Sequence, residues 1–436
     1  MPQTLWLREL FTFYVEVSLT FRNVRISGQK LIQEDCEEEW CTHCLVAPYL
    51  WSASDKTVIE KHSAVDVTDP YYDDFQCTHS PFNFFEVIDS VLTIENSTFD
   101  NIRIRAGRFI SLLGTANLTL TQSTISRMDF TEGFIGGSCA EVQLSGLFVT
   151  GFNRDHAYVR NYPGDSGLVQ LNGVSRFTLV SSLFEDNLQL LDMNAPGYAT
   201  VDVGSYVDVV ISNCTFRRTM SGVWLWNGGQ TVLIFQCVFQ GNFVTSSSFL
   251  HIDASTPVHI VITECSFAHN TASYFIFMHF YLNAGSSVQL SHSEFLNNRS
   301  YQPASMSSKD CLFIYAYVMS NFTLSHCQFT ETENYSSNLF AQLVTAQLIN
   351  HSPEVDTDFL QFPQQNYRSV LEFQSWSEVR IVNVTVTVQK SMNYEYGLFF
   401  SVALPNSVLT IDSLTVRNVW KLCSILHTFR TACSRT

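Results

Sequence analysis

One eight-residue phrase recurs eleven times along this chain and limits its fold more than any other feature. Its full form reads apolar, any residue, Ile or Leu, any residue, polar or Gly, Ser or Cys, any residue, Phe, with Ser or Cys in eight copies and Phe in seven. A phrase that returns every two or three dozen residues indicates structural units that bury their apolar sides against one another, as in a solenoid. The central Ile or Leu of each copy is, in order, Ile94, Leu120, Leu144, Leu179, Ile211, Ile234, Ile262, Leu290, Leu324, Ile381 and Ile411.

Each copy of the phrase has the alternation of a bent β-strand. In the copy that begins at Leu92, Leu92 and Ile94 alternate with polar residues, the period of two that points one set of side chains inward. The alternation restarts out of phase at Ser97, so the chain bends at Asn96. The same position is polar or Gly in the other ten copies, as a corner requires. Each phrase therefore predicts a strand, a corner and a second strand.

A further apolar run follows the phrase within most periods and predicts a third strand. Val223–Trp226 and Phe249–Ile252 are two examples. Crossover connections between parallel strands are right-handed in nearly all proteins. We therefore predict an all-β fold, a right-handed parallel β-helix (solenoid) of about 11–12 coils.

The spacing between copies predicts where the regular coils are interrupted. The step from Leu324 to Ile381 is 57 residues, nearly double the others, so we expect a coil with a blurred phrase near residues 338–375. Other long periods indicate loop insertions, chiefly at residues 151–166, 194–205 and 299–310.

The coil pattern also divides the chain. We expect a degenerate first coil in residues 1–30, an acidic Cys-containing insertion or cap in residues 31–85, the β-helix in residues 86–420 and a tail in residues 421–436. Arg8 and Glu9 interrupt what would be a signal-peptide core at the start. Since a coil-like pattern already begins near Phe11, we expect this chain to be part of a longer polypeptide.

Phe is followed three residues later by Asn in four copies of the phrase, as Phe184/Asn187, Phe239/Asn242, Phe267/Asn270 and Phe295/Asn298. This pairing resembles the FxxN repeat of the chlamydial polymorphic outer-membrane proteins. More broadly, residues 86–420 resemble the pectin-lyase-like superfamily of right-handed parallel β-helices. The glycine pair that precedes FxxN in the chlamydial proteins survives only as hints such as Gly136-Gly137. The resemblance implies the fold and does not specify a chemistry.

Charge and composition exclude some partners. The formal net charge is −16, and phosphate binding needs a basic face, so we expect no nucleic acid partner. No stretch is apolar for long enough to predict a transmembrane segment in this chain. Twelve Cys residues are compatible with an oxidising compartment, and we expect an extracellular or cell-surface location.

The acidic insertion holds the one compact cysteine cluster of the chain. We expect disulfides among its members to pin the insertion. Zinc binding is the alternative, completed by His43, His62 or His79, although a second Cys-x-x-Cys is absent. The cluster consists of Cys36, Cys41, Cys44 and Cys77.

The Ser/Cys position of the phrase holds Cys214, Cys237 and Cys265 on consecutive coils. Equivalent Cα atoms on neighbouring coils lie about 4.8 Å apart, within the range that a disulfide tolerates. We expect a ladder of inert buried thiols, with a bond between neighbouring coils as the alternative.

The corner position holds Glu264, His292 and His326 on three consecutive coils. Two imidazoles and a carboxylate stacked in this way could converge on a divalent metal. Exposed corners collect polar residues in any case, so we expect no cofactor and keep the metal site as an alternative.

Outward-facing aromatic residues lie on neighbouring coils and predict a strip that binds a glycan or a surface protein. A neighbouring loop, such as residues 299–310, would cover the strip in the alternative interpretation. The predicted ligand-binding residues are Phe275, Phe277, Tyr281, Phe313, Tyr315 and Tyr317.

Three Asn-x-Ser/Thr sequons fall on the corner position, where an attached glycan would project from the surface. These candidate glycosylation sites are Asn96, Asn213 and Asn383.

Polysaccharide lyases and glycoside hydrolases need carboxylates in a groove. The outward positions beside the phrase centres offer no acidic pair on adjacent coils. The best constellation that remains is Asp192, Asp202, Asp208, His251 and Asp253. We therefore expect a non-enzymatic surface or extracellular segment that acts in adhesion, glycan or protein binding, or as a spacer. A polysaccharide lyase or glycoside hydrolase is the alternative.

Overall fold

A computed structural model gives the architecture of most of the repeat region. The residues that it describes are 11–14, 18–28, 49–53, 58–60, 85–100, 103–104, 108–130, 133–152, 168–187, 199–219, 222–244, 248–272, 276–300, 310–318, 321–331, 367–374, 378–388, 395–401, 408–417 and 421–422.

Parallel strands from successive coils stack into a first sheet. Each residue pairs with its equivalent on the next coil, as Val223 pairs with Leu250 and Leu250 with Met278. The described strands of this sheet follow chain order. They are Phe11–Tyr14, Phe85–Ile88, Ile110–Leu113, Ile135–Ser138, Val169–Asn172, Ala199–Gly204, Gly222–Trp226, Leu250–Ala254, Ile276–Leu282, Asp310–Val318, Tyr367–Gln374, Glu395–Ser401 and Lys421–Leu422.

The eight-residue phrase forms a second, bent sheet with two arms. Ile211 pairs with Ile234, and Ile234 with Ile262, so the phrase centres form a column. The first arm contains Ser18–Arg22, Val91–Glu95, Asn117–Thr121, Glu141–Ser145, Arg176–Val180, Asp208–Ser212, Thr231–Phe235, His259–Thr263, Ser287–Ser291 and Asn321–Ser325. The second arm contains Val24–Gly28, Thr98–Asp100, Thr124–Ser126, Phe148–Thr150, Leu183–Glu185, Thr215–Arg217, Val238–Gln240, Ser266–Ala268, Glu294–Leu296 and Gln328–Glu331. Glu378–Val388 and Val408–Arg417 span both arms.

Short strands complete the described structure. Arg103–Ile104 pairs with Asp129–Phe130, and a three-stranded sheet is formed by Phe243–Val244, Thr271–Ala272 and Arg299–Ser300. In the first described coil, Val24–Gly28 pairs antiparallel with Tyr49–Ala53, which pairs antiparallel with Val58–Glu60. This ribbon covers an edge that would otherwise present unpaired backbone groups.

The interior lies between the two sheets and is filled by columns of apolar side chains. On the first sheet Val201 and Val203 point inward and are buried, and Val223 and Leu225 continue these two columns on the next coil. The fold prediction is confirmed, because stacked coils of parallel strands form a right-handed parallel β-helix.

The corner of each phrase has a left-handed backbone conformation. Glu264 has φ 55° and His292 has φ 48°, a region that costs L-residues about 1–2 kcal/mol and favours Asn and Gly. The corner N–H still donates to the next coil, as Glu264 N does to Ser291 O at 3.2 Å. Exposure therefore favours polar residues at the corner, and the left-handed backbone favours Asn and Gly there. The same conformation occurs at Asn23, Asn96, Gln122, Gly146, Ser181, Asn213, Gln236, His326, Asn383 and Ser413.

Where Ser or Cys follows the corner, its side chain donates to a backbone carbonyl. Ser293 Oγ lies 2.8 Å from Ser291 O and also accepts from Cys265 N at 3.1 Å. Cys265 Sγ makes the equivalent contact with Thr263 O at 3.3 Å. A small donor is needed here because the corner turns this carbonyl toward the buried side chain.

The FxxN pairs form two parallel columns in the interior. Phe239, Phe267 and Phe295 stack face to face, with neighbouring ring centroids 4.8 Å apart. Beside them, Asn270 Oδ1 accepts from Asn242 N at 3.0 Å, and Asn270 Nδ2 donates to Phe239 O at 2.8 Å. The motif thus supplies apolar stacking and satisfies buried backbone groups at a second left-handed turn.

One prediction about the coils is wrong. Leu324 pairs directly with Ile381, and Tyr315 of the first sheet with Glu372. No extra coil lies between these strands in either described sheet, so the long period is an insertion within one coil. The expected blurred coil near residues 338–375 assumed that doubled spacing means a doubled coil, whereas a turn of a solenoid tolerates a long loop.

Candidate functional site

The outer face of the first sheet carries side chains that do not repeat from coil to coil. Since Val201 and Val203 point inward, Asp202 and Gly204 point outward. The strand register continues these two positions through four more coils. The first column contains Asp202, Trp224, His251, His279 and Tyr315, and the second contains Gly204, Trp226, Asp253, Tyr281 and Tyr317.

The indole of Trp226 lies against Gly204 of the preceding coil. Its Nε1 donates to Asp202 Oδ1 at 2.6 Å, and Asp202 is only 8% exposed. A Cβ on Gly204 would lie 2.4–2.8 Å from three atoms of the Trp226 indole, so Gly204 makes room for the ring. Trp226 is nevertheless 36% exposed, so its other side is open to solvent.

Two half-buried histidines lie beside the tryptophans in the first column. His251 Nδ1 and His279 Nδ1 are 3.2 Å apart, a distance at which one nitrogen donates and the other accepts. Burial lowers the pKa of His251, and burial together with His251 lowers the pKa of His279 to about 3. The pair is therefore uncharged at neutral pH. On the other side, Trp224 lies against His251, with ring centroids 6.0 Å apart, and donates to Ser248 O.

The second column continues with an acid and two tyrosines. Asp253 is half-buried and lies on the coil between Trp226 and Tyr281. Tyr281 is 48% exposed and stacks on Tyr317, with ring centroids 4.9 Å apart and planes 14° apart. We call this surface, formed by Trp224, Trp226, His251, Asp253, His279, Tyr281 and Tyr317, the aromatic strip.

The sequence predicted part of this strip. Tyr281 and Tyr317 lie on it, and the backbone register places Tyr315 in its first column. Phe277 and Phe313 lie on described strands next to a shift in register, and Phe275 lies outside the described residues. The prediction omitted Trp226, although the alternation in Val223–Trp226 was a signal that both tryptophans point outward.

The predicted catalytic constellation is divided by the structure. Asp202, His251 and Asp253 lie on the outer face of the first sheet, but the Asp202 carboxylate holds Trp226. Asp208 begins a strand of the second sheet, where it pairs with Arg176 and Thr231. Asp192 lies outside the described residues.

The corner residues proposed as metal ligands do form one column. His292 and His326 stack with ring planes 2° apart and centroids 4.7 Å apart, and Gln236 Nε2 donates to Glu264 Oε2 at 2.8 Å. A depression of about 660 Å³ runs along this corner. Because the two imidazole rings are parallel, their nitrogens lie side by side and do not converge on one point. Among the described residues, no three His, Cys, Asp or Glu side chains are placed to hold a metal ion.

The described cysteines are free thiols. Cys214, Cys237 and Cys265 are buried on consecutive coils, in the arrangement that the sequence predicted for an inert ladder. Burial raises the pKa of Cys139 and of Cys327 to about 12, so these two thiols stay protonated.

The predicted disulfide or zinc cluster lies outside the described residues, as do the three histidines proposed to complete it. Its residues are Cys36, Cys41, Cys44 and Cys77, with His43, His62 and His79. The candidate glycosylation sites Asn96, Asn213 and Asn383 are exposed at their corners, and their modification stays a prediction.

Comparison with known proteins supports the fold and does not identify a function. Among the described residues, no helix has the length and apolar character needed to cross a membrane. No curated protein is similar enough to this sequence to count as a match. The resemblance of the FxxN pairs to the chlamydial proteins stays a prediction. One family does match, described as the right handed beta helix region, over residues 87–257. Together with the stacked parallel strands, this match identifies the chain as a right-handed parallel β-helix repeat protein.

Proposed function

We propose that this protein is a non-enzymatic carbohydrate-binding β-helix that holds a glycan along the aromatic strip. The observation that carries the proposal is the open indole face of Trp226, in one column with the stacked rings of Tyr281 and Tyr317. Sugar rings present C–H groups that pack on aromatic faces, while their hydroxyls need polar partners at the edges. Asp253 and the phenol groups supply such partners between and beside the rings.

Preorganisation supports binding over a purely structural spacer. A spacer has no use for a tryptophan fixed on the surface by a buried carboxylate and a glycine. Fixing Trp226 before the ligand arrives reduces the entropy lost on binding. On the second sheet, by contrast, the positions outward from the phrase centres are mostly Thr, Gln and Val.

The positions of the carboxylates support binding over cleavage. Glycosidases place two carboxyl groups about 5–9.5 Å apart on either side of the scissile bond. Asp202 is buried and bonded to Trp226, and Asp253 lies two coils further along in the other column. Asp208 is on the second sheet.

An extracellular or cell-surface location is part of the proposal. The exposed sequons at Asn96, Asn213 and Asn383 are suited to carry glycans in such a compartment. An adhesive role follows if the glycan belongs to another surface. A protein ligand is the competing outcome, because exposed aromatic residues also bind proteins.

A glycan array tests the proposal. Wild-type protein should retain a defined set of glycans, and Trp226→Ala should lose them by about tenfold or more in affinity. Phe148→Ala is the matched control, since Phe148 is 37% exposed but lies on the second sheet. Absence of any retained glycan, or equal binding by Trp226→Ala, would contradict the proposal. Release of new reducing ends from a retained glycan would instead support the enzyme alternative.

A further inference from the structure

We infer that the glycan held by the aromatic strip is neutral rather than built of uronic acids, and that Asp253 determines this selectivity. This inference rests on the proposed function and adds the chemical class of the ligand.

No residue of the strip offers a cation to an acidic sugar, and Arg108, on the same face, lies beyond its end, where it donates to Gln170 one coil before Asp202. None of the strand residues that form it, 199–204, 222–226, 250–254, 276–282 and 310–318, is Lys or Arg. The two histidines are its only basic side chains, and burial keeps both uncharged at neutral pH. Carboxylate ligands are usually recognised by Arg or Lys, through charge-assisted hydrogen bonds.

The strip also carries a negative charge at its centre. Asp253 lies one coil from Trp226 and one coil from Tyr281, so about 4.8 Å of rise separates it from each. A glycan that runs along this column from Trp226 to Tyr281 therefore passes over the Asp253 carboxylate. An ionised carboxylate only accepts hydrogen bonds, so it favours hydroxyl groups and repels a uronate.

Burial strengthens this discrimination. Asp253 is half-buried, flanked by aromatic rings, and close enough to His251 to affect it electrostatically. Repulsion between like charges is screened less at such a site than in open solvent. The neighbouring His251–His279 pair leaves no compensating positive charge at neutral pH.

Matched oligosaccharides test the inference. The neutral oligomer that binds best on the array is compared with the same oligomer oxidised at C6 to the uronic acid, by calorimetry at low salt. Wild-type protein should prefer the neutral oligomer by about tenfold or more, and added salt should reduce this preference. Asp253→Asn should weaken neutral binding a few-fold and bring the two affinities together. Tyr281→Ala is the control and should weaken both.

The outcomes separate the two proposals. Equal or stronger binding of the acidic oligomer by wild-type protein would overturn the selectivity while leaving carbohydrate binding intact. An unchanged preference in Asp253→Asn would show that another residue determines it, and would also overturn the inference. Binding of neither oligomer would overturn the proposed function as well.

Discussion

The two sheets of this β-helix differ in how regularly their residues repeat from coil to coil. On the second sheet, the corner, the Ser/Cys position and the Phe position recur on successive coils, and each has a structural role. On the first sheet, the outward residues from Asp202 to Tyr317 follow no repeat, and they form the aromatic strip. Repetition thus marks the residues that build the body, and departure from repetition marks a candidate site.

The two sheets should also differ in whether a substitution affects stability or binding. The buried ladders of the second sheet stabilise every coil through its neighbours, so a change there should affect stability. Changes to exposed residues on the outer face of the first sheet should affect binding and leave stability almost unchanged, whereas the half-buried His251–His279 pair on that face should also affect stability. Four substitution experiments, ordered from the largest expected effect on stability to the smallest, and one pH titration test this division.

Replacing a stacked phenylalanine should have the largest effect. Phe267→Ala removes a buried ring that stacks on Phe239 and Phe295, and we expect a loss of about 3–5 kcal/mol in unfolding free energy. Chemical denaturation measures this loss. Phe148→Ala, at an exposed position of the same sheet, should cost less than about 1 kcal/mol. Equal losses in the two variants would show that the stack contributes little.

Breaking the asparagine ladder should have the next largest effect. Asn270→Ala leaves Asn242 N–H and Phe239 C=O without their buried partners, and we expect a loss of roughly 2–4 kcal/mol. Asn213→Ala provides the comparison, because that exposed corner loses only an asparagine that is suited to the left-handed conformation, at about 1 kcal/mol. A smaller loss for Asn270→Ala than for Asn213→Ala in the same denaturation experiment would contradict the ladder.

The Ser/Cys position should tolerate exchange and resist truncation. Cys265→Ser keeps a donor to Thr263 O and should cost less than about 1 kcal/mol. Ser293→Ala leaves Cys265 N–H without an acceptor and should cost about 1–2 kcal/mol. Thermal unfolding of the two variants compares these two losses of stability. A costlier Cys265→Ser would mean that the thiol acts through its volume instead.

The histidine pair should make stability depend on pH. His279 has its pKa lowered from 6.5 to about 3 by burial and by His251, so the unfolded state binds more protons than the folded state between these values. Stability should therefore be full above about pH 6.5 and fall as the pH drops toward about 3, by at most about 1.4 kcal/mol per pH unit. Denaturation midpoints across this range should depend less on pH in His279→Gln. An identical pH dependence in the variant would rule out this residue as the source.

Removing one unsatisfied hydroxyl should have the smallest effect. Tyr206 is buried, and its Oη has no hydrogen-bond partner among the described residues. Tyr206→Phe should leave stability unchanged or raise it by up to about 1 kcal/mol. A clear loss in thermal stability would show that the hydroxyl has a partner in solution, such as an ordered water.

The sequence predicted the body of the molecule better than its site. Alternation around Ile94 and the polar corner at Asn96 were enough to place strands and bends, because each recurs in register. The hydrogen bonds of Ser293 and Asn270 could not be predicted from a local pattern. Ser293 donates to the carbonyl of Ser291, two residues away, and Asn270 donates to the carbonyl of Phe239, one coil away.

The aromatic strip was harder to predict for a physical reason. Neighbours in a parallel stack are set by the register between coils, and this register shifts near Ile276 and Cys311. The alternation of the strands predicts Tyr281 and Tyr317 on one face. The contacts of Trp226 with Asp202 and Gly204 join two coils, so only the folded structure shows them. The doubled period after Leu324 led to the wrong prediction of an extra coil, since spacing alone cannot distinguish a coil from an insertion.

A crystal structure of the protein with its best array ligand tests the central claim most directly. We expect sugar rings stacked on Trp226 and Tyr281, with hydroxyl groups of the sugar within hydrogen-bond distance of Asp253. A ligand bound instead in the depression beside Gln236, Glu264 and His292 would contradict it, because the binding site would then lie on the repeated sheet.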